Sequence, residues 1–120
     1  MPLHLHSITF DAVDPQALAG FWSDVTGCRI ETADEFVAIL SRDGSEAPGF
    51  MFIKVPEGKT AKNRMHVDLG SPDLEVETGR VVGLGAELVG RYDEYGVTWA
   101  SFRDPEGNEF CIGKHEPPDH

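Results

Sequence analysis

The sequence predicts an α+β domain of two paired βαβββ modules, with eight strands curled into a mixed sheet around a cavity and both helices outside. Three observations carry that prediction. The order strand, helix, strand, strand, strand occurs twice along the 120 residues. The two helices each start at an aspartate, Asp14 and Asp73, a shift of 59 (73 minus 14). A four-stranded sheet with one helix also leaves a face bare, so two modules side by side cover what neither covers alone.

The elements follow in order. Leu3 to Asp11 alternates, with Leu5, Ser7, Thr9 and Asp11 on one side and His4, His6, Ile8 and Phe10 on the other. Asp14-Pro15 supplies an N-cap and a proline suited to the first helical turn. Leu18, Phe21, Trp22 and Val25 recur at helical spacing, which makes Trp22 helix core, and Gly27 ends the helix. Strands are expected at Cys28 to Glu31, Phe36 to Leu40 and Phe50 to Val55, with a polar turn from Arg42 to Gly49. Pro56 to Lys59 is the internal boundary, so the single domain of residues 1–120 divides into modules 3–55 and 63–115.

In the second module, Arg64 to Leu69 is a strand. Asp73 opens a helix with Leu74, Val81 and Leu84 that ends at Gly85. Glu87 to Val89, Val97 to Phe102 and Glu109 to Lys114 are the remaining strands, and Pro117 and Pro118 close the ordered chain. Arg91 to Tyr95 reads as a polar loop placed to act as a lid. Lys59, Lys62 and Arg64 form a small basic run that reads as a solvated loop or, alternatively, steers an anionic substrate.

Composition excludes several classes. The formal net charge is −11 and the pI about 4.7, which argues against nucleic acid and against an anionic membrane surface. A sequence 40% hydrophobic suits a folded globular domain. No window approaches a membrane span, and the first residues lack the basic region of an export signal. Cys28 and Cys111 are too few for a disulfide framework, so the expectation is a cytoplasmic protein with reduced thiols, Cys111 being a buried rather than a reactive one. No phosphate-cradling glycine loop, Cys-x-x-Cys pair or serine nucleophile elbow is present.

Two stretches carry chemistry. Asp104-Pro105-Glu106-Gly107-Asn108 is a tight turn, and the strand after it alternates Glu109 and Cys111 against Phe110 and Ile112. Lys62 to Leu69 places His66 and Asp68 on one face of its strand. Three readings of His66 and Glu109 stand side by side: metal ligands, a hydrogen-bonded pair, or polar lining of a substrate pocket. Asp68 adds an acceptor to the cavity or bonds Arg64. Trp99 either forms a flat cavity wall or packs under the helix.

These stretches, with Asp14-Pro15 through Phe21-Trp22 and Leu84-Gly85-Ala86, resemble the vicinal oxygen chelate superfamily, and within it the small glyoxalase-like or bleomycin-resistance-like domains of actinobacterial type. The resemblance implies a cytoplasmic homodimer that holds a small molecule in the curled sheet. In metal-dependent members, ligands sit on the first and last strands of each module. That would give His66 and Glu109 here, with His6 joining if it turns inward, for a divalent metal of the Zn, Ni, Mn or Fe type.

The first module departs from the pattern. His66 aligns with Ser7, not His6, and the counterpart of Glu109 falls near Phe50 to Phe52, where no carboxylate stands. A four-ligand glyoxalase I site is therefore not supported. The expectation is small-molecule binding without a cofactor, lined by His66, Asp68, Trp99, Glu109 and Ser7. The alternative is a metal-dependent lyase, isomerase or extradiol-dioxygenase-like enzyme in which the metal polarises vicinal oxygens and Glu109 or Asp68 moves a proton.

Overall fold

Both helix-starting aspartates cap their helices by the same bond. Asp14 Oδ1 accepts from the amide of Ala17 at 3.2 Å, and Asp73 Oδ1 accepts from Val76 at 3.1 Å. The structure, a computed structural model, describes residues 5–44, 47–94 and 96–115. The expectations placed on Leu3, His4, Tyr95, Pro117 and Pro118 lie outside the described residues. The chain divides into two units, one ending at Gly58 and the other beginning at Lys59.

The first unit runs β1 (Ser7–Ala12), α1 (Pro15–Thr26), β2 (Ile30–Ala33), β3 (Val37–Leu40) and β4 (Gly49–Lys54). Its sheet has the order β1-β4-β3-β2, with β1 and β4 parallel and the other pairs antiparallel. α1 packs on this sheet through Leu18, Phe21, Trp22 and Val25, and Trp22 is fully buried as its helical spacing predicts. The Trp22 ring meets Phe10 at 5.5 Å and Phe50 at 5.7 Å. Gly27 ends α1 at φ +77, a conformation that side chains other than glycine resist.

The second unit repeats the order: β5 (Val67–Ser71), α2 (Leu74–Gly83), β6 (Glu87–Glu94), β7 (Val97–Arg103) and β8 (Glu109–Lys114). Its sheet has the order β5-β8-β7-β6, again with one parallel pair, β5 and β8. The α+β class and the doubled βαβββ order are therefore those the sequence predicts. Val81 of α2 and Ala100, Phe102, Phe110 and Ile112 of the sheet form this unit's core. Phe102 and Phe110, paired across β7 and β8, stack at 5.2 Å. Fully burying such a ring contributes roughly 1.5–3 kcal/mol.

One element differs in kind from the expectation. Arg91 to Glu94 is not a loop but the second half of β6, paired residue by residue with β7 up to Glu94 opposite Val97. Gly90 looks like a stop in sequence. In the structure it lies at a bulge between Leu88 and Gly90 and makes room for Tyr92: a Cβ there would stand 2.7 Å from the Tyr92 hydroxyl oxygen. A smaller shift moves β5 to Val67–Ser71, leaving His66 just before the strand. Among the described residues no helix is long and apolar enough to cross a membrane.

Candidate functional site

The Asp104 turn sets where β8 begins. Asp104 is buried, and its Oδ1 accepts from the amides of Glu106 and Asn108, each at 2.9 Å. The Asn108 side-chain amide donates to the same carboxylate at 2.9 and 3.1 Å. The Gly107 amide closes the turn onto the Asp104 carbonyl at 2.9 Å, with Gly107 at φ +89. Glu109 therefore enters the sheet at a fixed register, opposite Arg103 of β7.

From there the period of two decides every orientation. Phe110 and Ile112 are buried on the helix side. Glu109 and Cys111 take the opposite, open face and are half-buried. On one flank Cys111 pairs with Asp68 of β5, and on the other with Ser101 of β7. The Ser101 Oγ and Cys111 Sγ are 3.3 Å apart. His66, two residues before Asp68, turns its Nδ1 to within 2.9 Å of Asp68 Oδ1. Asp68 thus faces His66, a partner the sequence reading, which offered Arg64, did not name.

His66, Ser101, Glu109 and Cys111 line a cleft of about 570 Å³ together with Lys59, Lys62, Val89 and Tyr92. Glu109 and His66 border the same hollow without forming the bonded pair. The partners of Glu109 are Asn63, whose amide donates to Oε2 at 3.0 Å, and Lys59, whose Nζ lies 3.2 Å from Oε1. Burial pushes the Glu109 carboxyl up, but the Asn63 amide, its own main-chain amide and the Lys59 ammonium outweigh that and hold it below the usual glutamate range. Lys59 is accordingly not a solvated charge. It ties the loop after Gly58 to β8 through Glu109, and it also donates to the Ala61 carbonyl.

Trp99 lies on the open face, not under the helix: its strand neighbours Ala100 and Phe102 point to the core. It pairs with Tyr92 across β6 and β7, and the two rings stack at 5.1 Å and 22°. Tyr92 borders the cleft, and Trp99 backs it. One residue on this face was missed by the sequence reading. His115 folds back over Gly70 and Gly113, whose added Cβ atoms would stand 3.1 and 2.8 Å from its ring. The signal was there: Glu109, Cys111, Gly113 and His115 continue one alternation.

The first-module residues lie in the first unit. Ser7, opposite Gly49, and His6 line a cleft of about 680 Å³ with Arg29, Ser41, Asp43 and Met51. Arg29 Nη2 donates to Ser41 Oγ at 3.1 Å and to Asp43 Oδ1 at 3.0 Å. The Ser41 hydroxyl and then Arg29 lower the Asp43 carboxyl below its ordinary value. At the position corresponding to Glu109, β4 offers Phe50, Met51 and Phe52 and no carboxylate.

The model of the glyoxalase-like domain matches residues 7–113. The chain belongs to the glyoxalase-like domain family. No curated protein matches it. Among solved structures, a glyoxalase/bleomycin resistance protein/dioxygenase family enzyme from Burkholderia phytofirmans PsJN is similar, with TM-score 0.77 and 16% identity over 92% of this chain and 98% of the other. A mutant of the fosfomycin resistance protein FosX from Listeria monocytogenes, complexed with Mn(II) and 1S,2S-dihydroxypropylphosphonic acid, gives TM-score 0.79 and 13% identity over 97% and 93%. A bleomycin-binding protein complexed with bleomycin gives TM-score 0.67 and 19% identity over 95% and 100%. At these identities the likeness is one of fold.

A metal of the kind this family's resemblance implies needs donors that converge. Among the described residues of this glyoxalase-like domain, His66, Asp68 and Cys111 form a group whose donor atoms all lie within 4.8 Å of one another. The Glu109 carboxylate lies on the same face but is engaged by Asn63 and Lys59.

Proposed function

We propose that this glyoxalase-like domain binds a small organic molecule on the open face of its second unit. The observation that carries the reading is the composition of the 570 Å³ cleft. Its volume falls in the range of small-molecule sites, roughly 300–1,000 Å³. One part of its lining carries cations: Lys62, together with Lys59, paired with Glu109, and Arg103, paired with Glu87. Another part is apolar and aromatic, with Val89 and Tyr92 braced by Trp99. In a chain of net charge −11, a wall where Lys62 joins two charge-paired cations beside an apolar face favours a ligand with an anionic head and a flat apolar body. His66, with Asp68 behind it, would add a donor or acceptor for the head group. Neighbours of this fold bind bleomycin and a dihydroxypropylphosphonate, which supports small-molecule binding without naming the ligand.

The test is a thermal-shift screen of aryl and alkyl carboxylates and phosphonates. A true ligand raises the midpoint by mass action, about 2.7 kcal/mol of stabilisation at one hundred times its Kd. Lys62→Glu and Tyr92→Ala should each weaken it tenfold or more. A hit that binds both variants as tightly as the parent would refute the assignment.

A second reading, a metal-dependent enzyme acting on vicinal oxygens, draws on the converging group of His66, Asp68 and Cys111. We also propose that the two units work as one domain, that the protein is cytoplasmic, and that it forms a homodimer. The free thiols of Cys28 and Cys111 support the compartment, and the exposed Phe36 and Met65 support self-association. Cell fractionation and light scattering test these two, and a monomer at micromolar concentration would exclude the dimer.

A further inference from the structure

We propose that His66, Asp68 and Cys111 form a thiolate-containing site for a zinc-class cation, with Glu109 outside the donor set. The argument rests on geometry and does not require that the cleft bind an organic ligand. Parallel pairing of β5 with β8 sets Asp68 beside Cys111, and His66, just before β5, holds its Nδ1 2.9 Å from Asp68 Oδ1. One donor atom from each of the three residues already lies within 4.8 Å of the other two.

A tetrahedral zinc, with bonds of about 2.0 Å to nitrogen or oxygen and about 2.3 Å to sulfur, separates its donors by roughly 3.3–3.5 Å. Closing the remaining gap takes side-chain rotation of about an ångström. The His66 and Asp68 side chains are free to make it, being 45% and 67% exposed. The Cys111 thiol loses its proton to solvent on binding, and the Ser101 hydroxyl can then donate to the thiolate over the existing 3.3 Å contact.

Donor chemistry sets the choice of ion. One sulfur, one nitrogen and one oxygen suit zinc, cobalt or cadmium, whereas manganese and magnesium prefer all-oxygen or oxygen-rich shells. The site would therefore discriminate against Mn(II), the ion in the FosX complex. Three protein donors would leave a fourth coordination position for water or a ligand, and His66 and Cys111 both border the cleft. Glu109 is excluded because its oxygens already serve Asn63 and Lys59 in holding the 59–63 loop.

The experiment is a Co(II) titration of the full, untagged chain after chelator treatment, read by absorption. The expected result is one Co(II) per chain, with an intense thiolate-to-Co(II) charge-transfer band in the near ultraviolet that zinc displaces and Mn(II) does not. Cys111→Ser should abolish the band and Cys28→Ser should keep it. His66→Ala and Asp68→Asn should each weaken binding about 10–100-fold. Absence of the band in the parent protein up to millimolar Co(II) would overturn the proposal without reference to any variant. So would a site lost in Glu109→Gln and retained in Cys111→Ser, because Glu109 would then be the donor.

Discussion

Removing the Asp104 carboxylate should destabilise the second unit and loosen the entry of β8. In Asp104→Ala, three donors lose their acceptor: the amides of Glu106 and Asn108 and the side-chain amide of Asn108. A hydrogen bond to a charged acceptor contributes about 1.5–3 kcal/mol when buried. Here Asp104 is itself buried, but the donors are half-buried and can turn partly to water. About 1 kcal/mol for each bond, or 2–4 kcal/mol in total, is the resulting expectation. For a chain of this size that lowers the thermal midpoint by roughly 6–15 °C. Asp104→Asn keeps one oxygen for the two main-chain amides but sets its NH₂ against that of Asn108, and should cost about half as much. Urea unfolding followed by far-ultraviolet circular dichroism measures both, with an unchanged m-value expected. If Asp104→Ala stays within about 0.5 kcal/mol of the parent, the turn is held by its glycine and proline alone and the reasoning fails.

Phe110→Ala removes a fully buried ring stacked on Phe102 and should cost about 3–5 kcal/mol by the same urea assay. The folded-state pKa of Glu109 is depressed, so its contribution is present above the ordinary glutamate range and is lost as pH falls through the lowered folded value. The stability gap between the parent and Glu109→Gln should therefore be widest near neutrality and vanish in acid. A gap that grew on acidification would contradict the arrangement with Asn63 and Lys59. In Gly113→Ala the new Cβ would lie 2.8 Å from His115 Nε2. The imidazole sits at an exposed position and can swing away, so stability should fall by less than about 1 kcal/mol while the His115 ring resonances move clearly.

The fold was legible because each of its signals is local. Asp14 and Asp73 announce their helices through bonds spanning three residues. The apolar spacing of Leu18, Trp22 and Val25 on α1 names its buried face without reference to anything distant. Gly90 shows where locality fails. A glycine within a strand is the same letter whether it ends the strand or clears space for a ring. Only the stacking of Tyr92 on Trp99, brought about by the β6–β7 pairing, decides between them.

The site was half legible for the same reason. Alternation paired His66 with Asp68 and Glu109 with Cys111, and the structure agrees, except that Cys111, expected as a buried thiol, is only half-buried on the open face. What each does there depends on partners far along the chain. Glu109 meets Lys59 and Asn63 across 50 and 46 positions, and Cys111 meets Asp68 through the register of two parallel strands. Preference for a carboxylate over a thiol at the metal position follows from residue type. The structure adds what type does not show: the Glu109 carboxylate is engaged by Lys59 and Asn63, and Cys111 lies near the His66 imidazole. A shift of β5 by one residue against β8 would replace Asp68 with an apolar neighbour of Cys111 and leave the turn, the helices and the core motif unaltered in sequence. Pairing register, more than the inventory of ligand-type residues, is therefore what determines the chemistry this open face can perform.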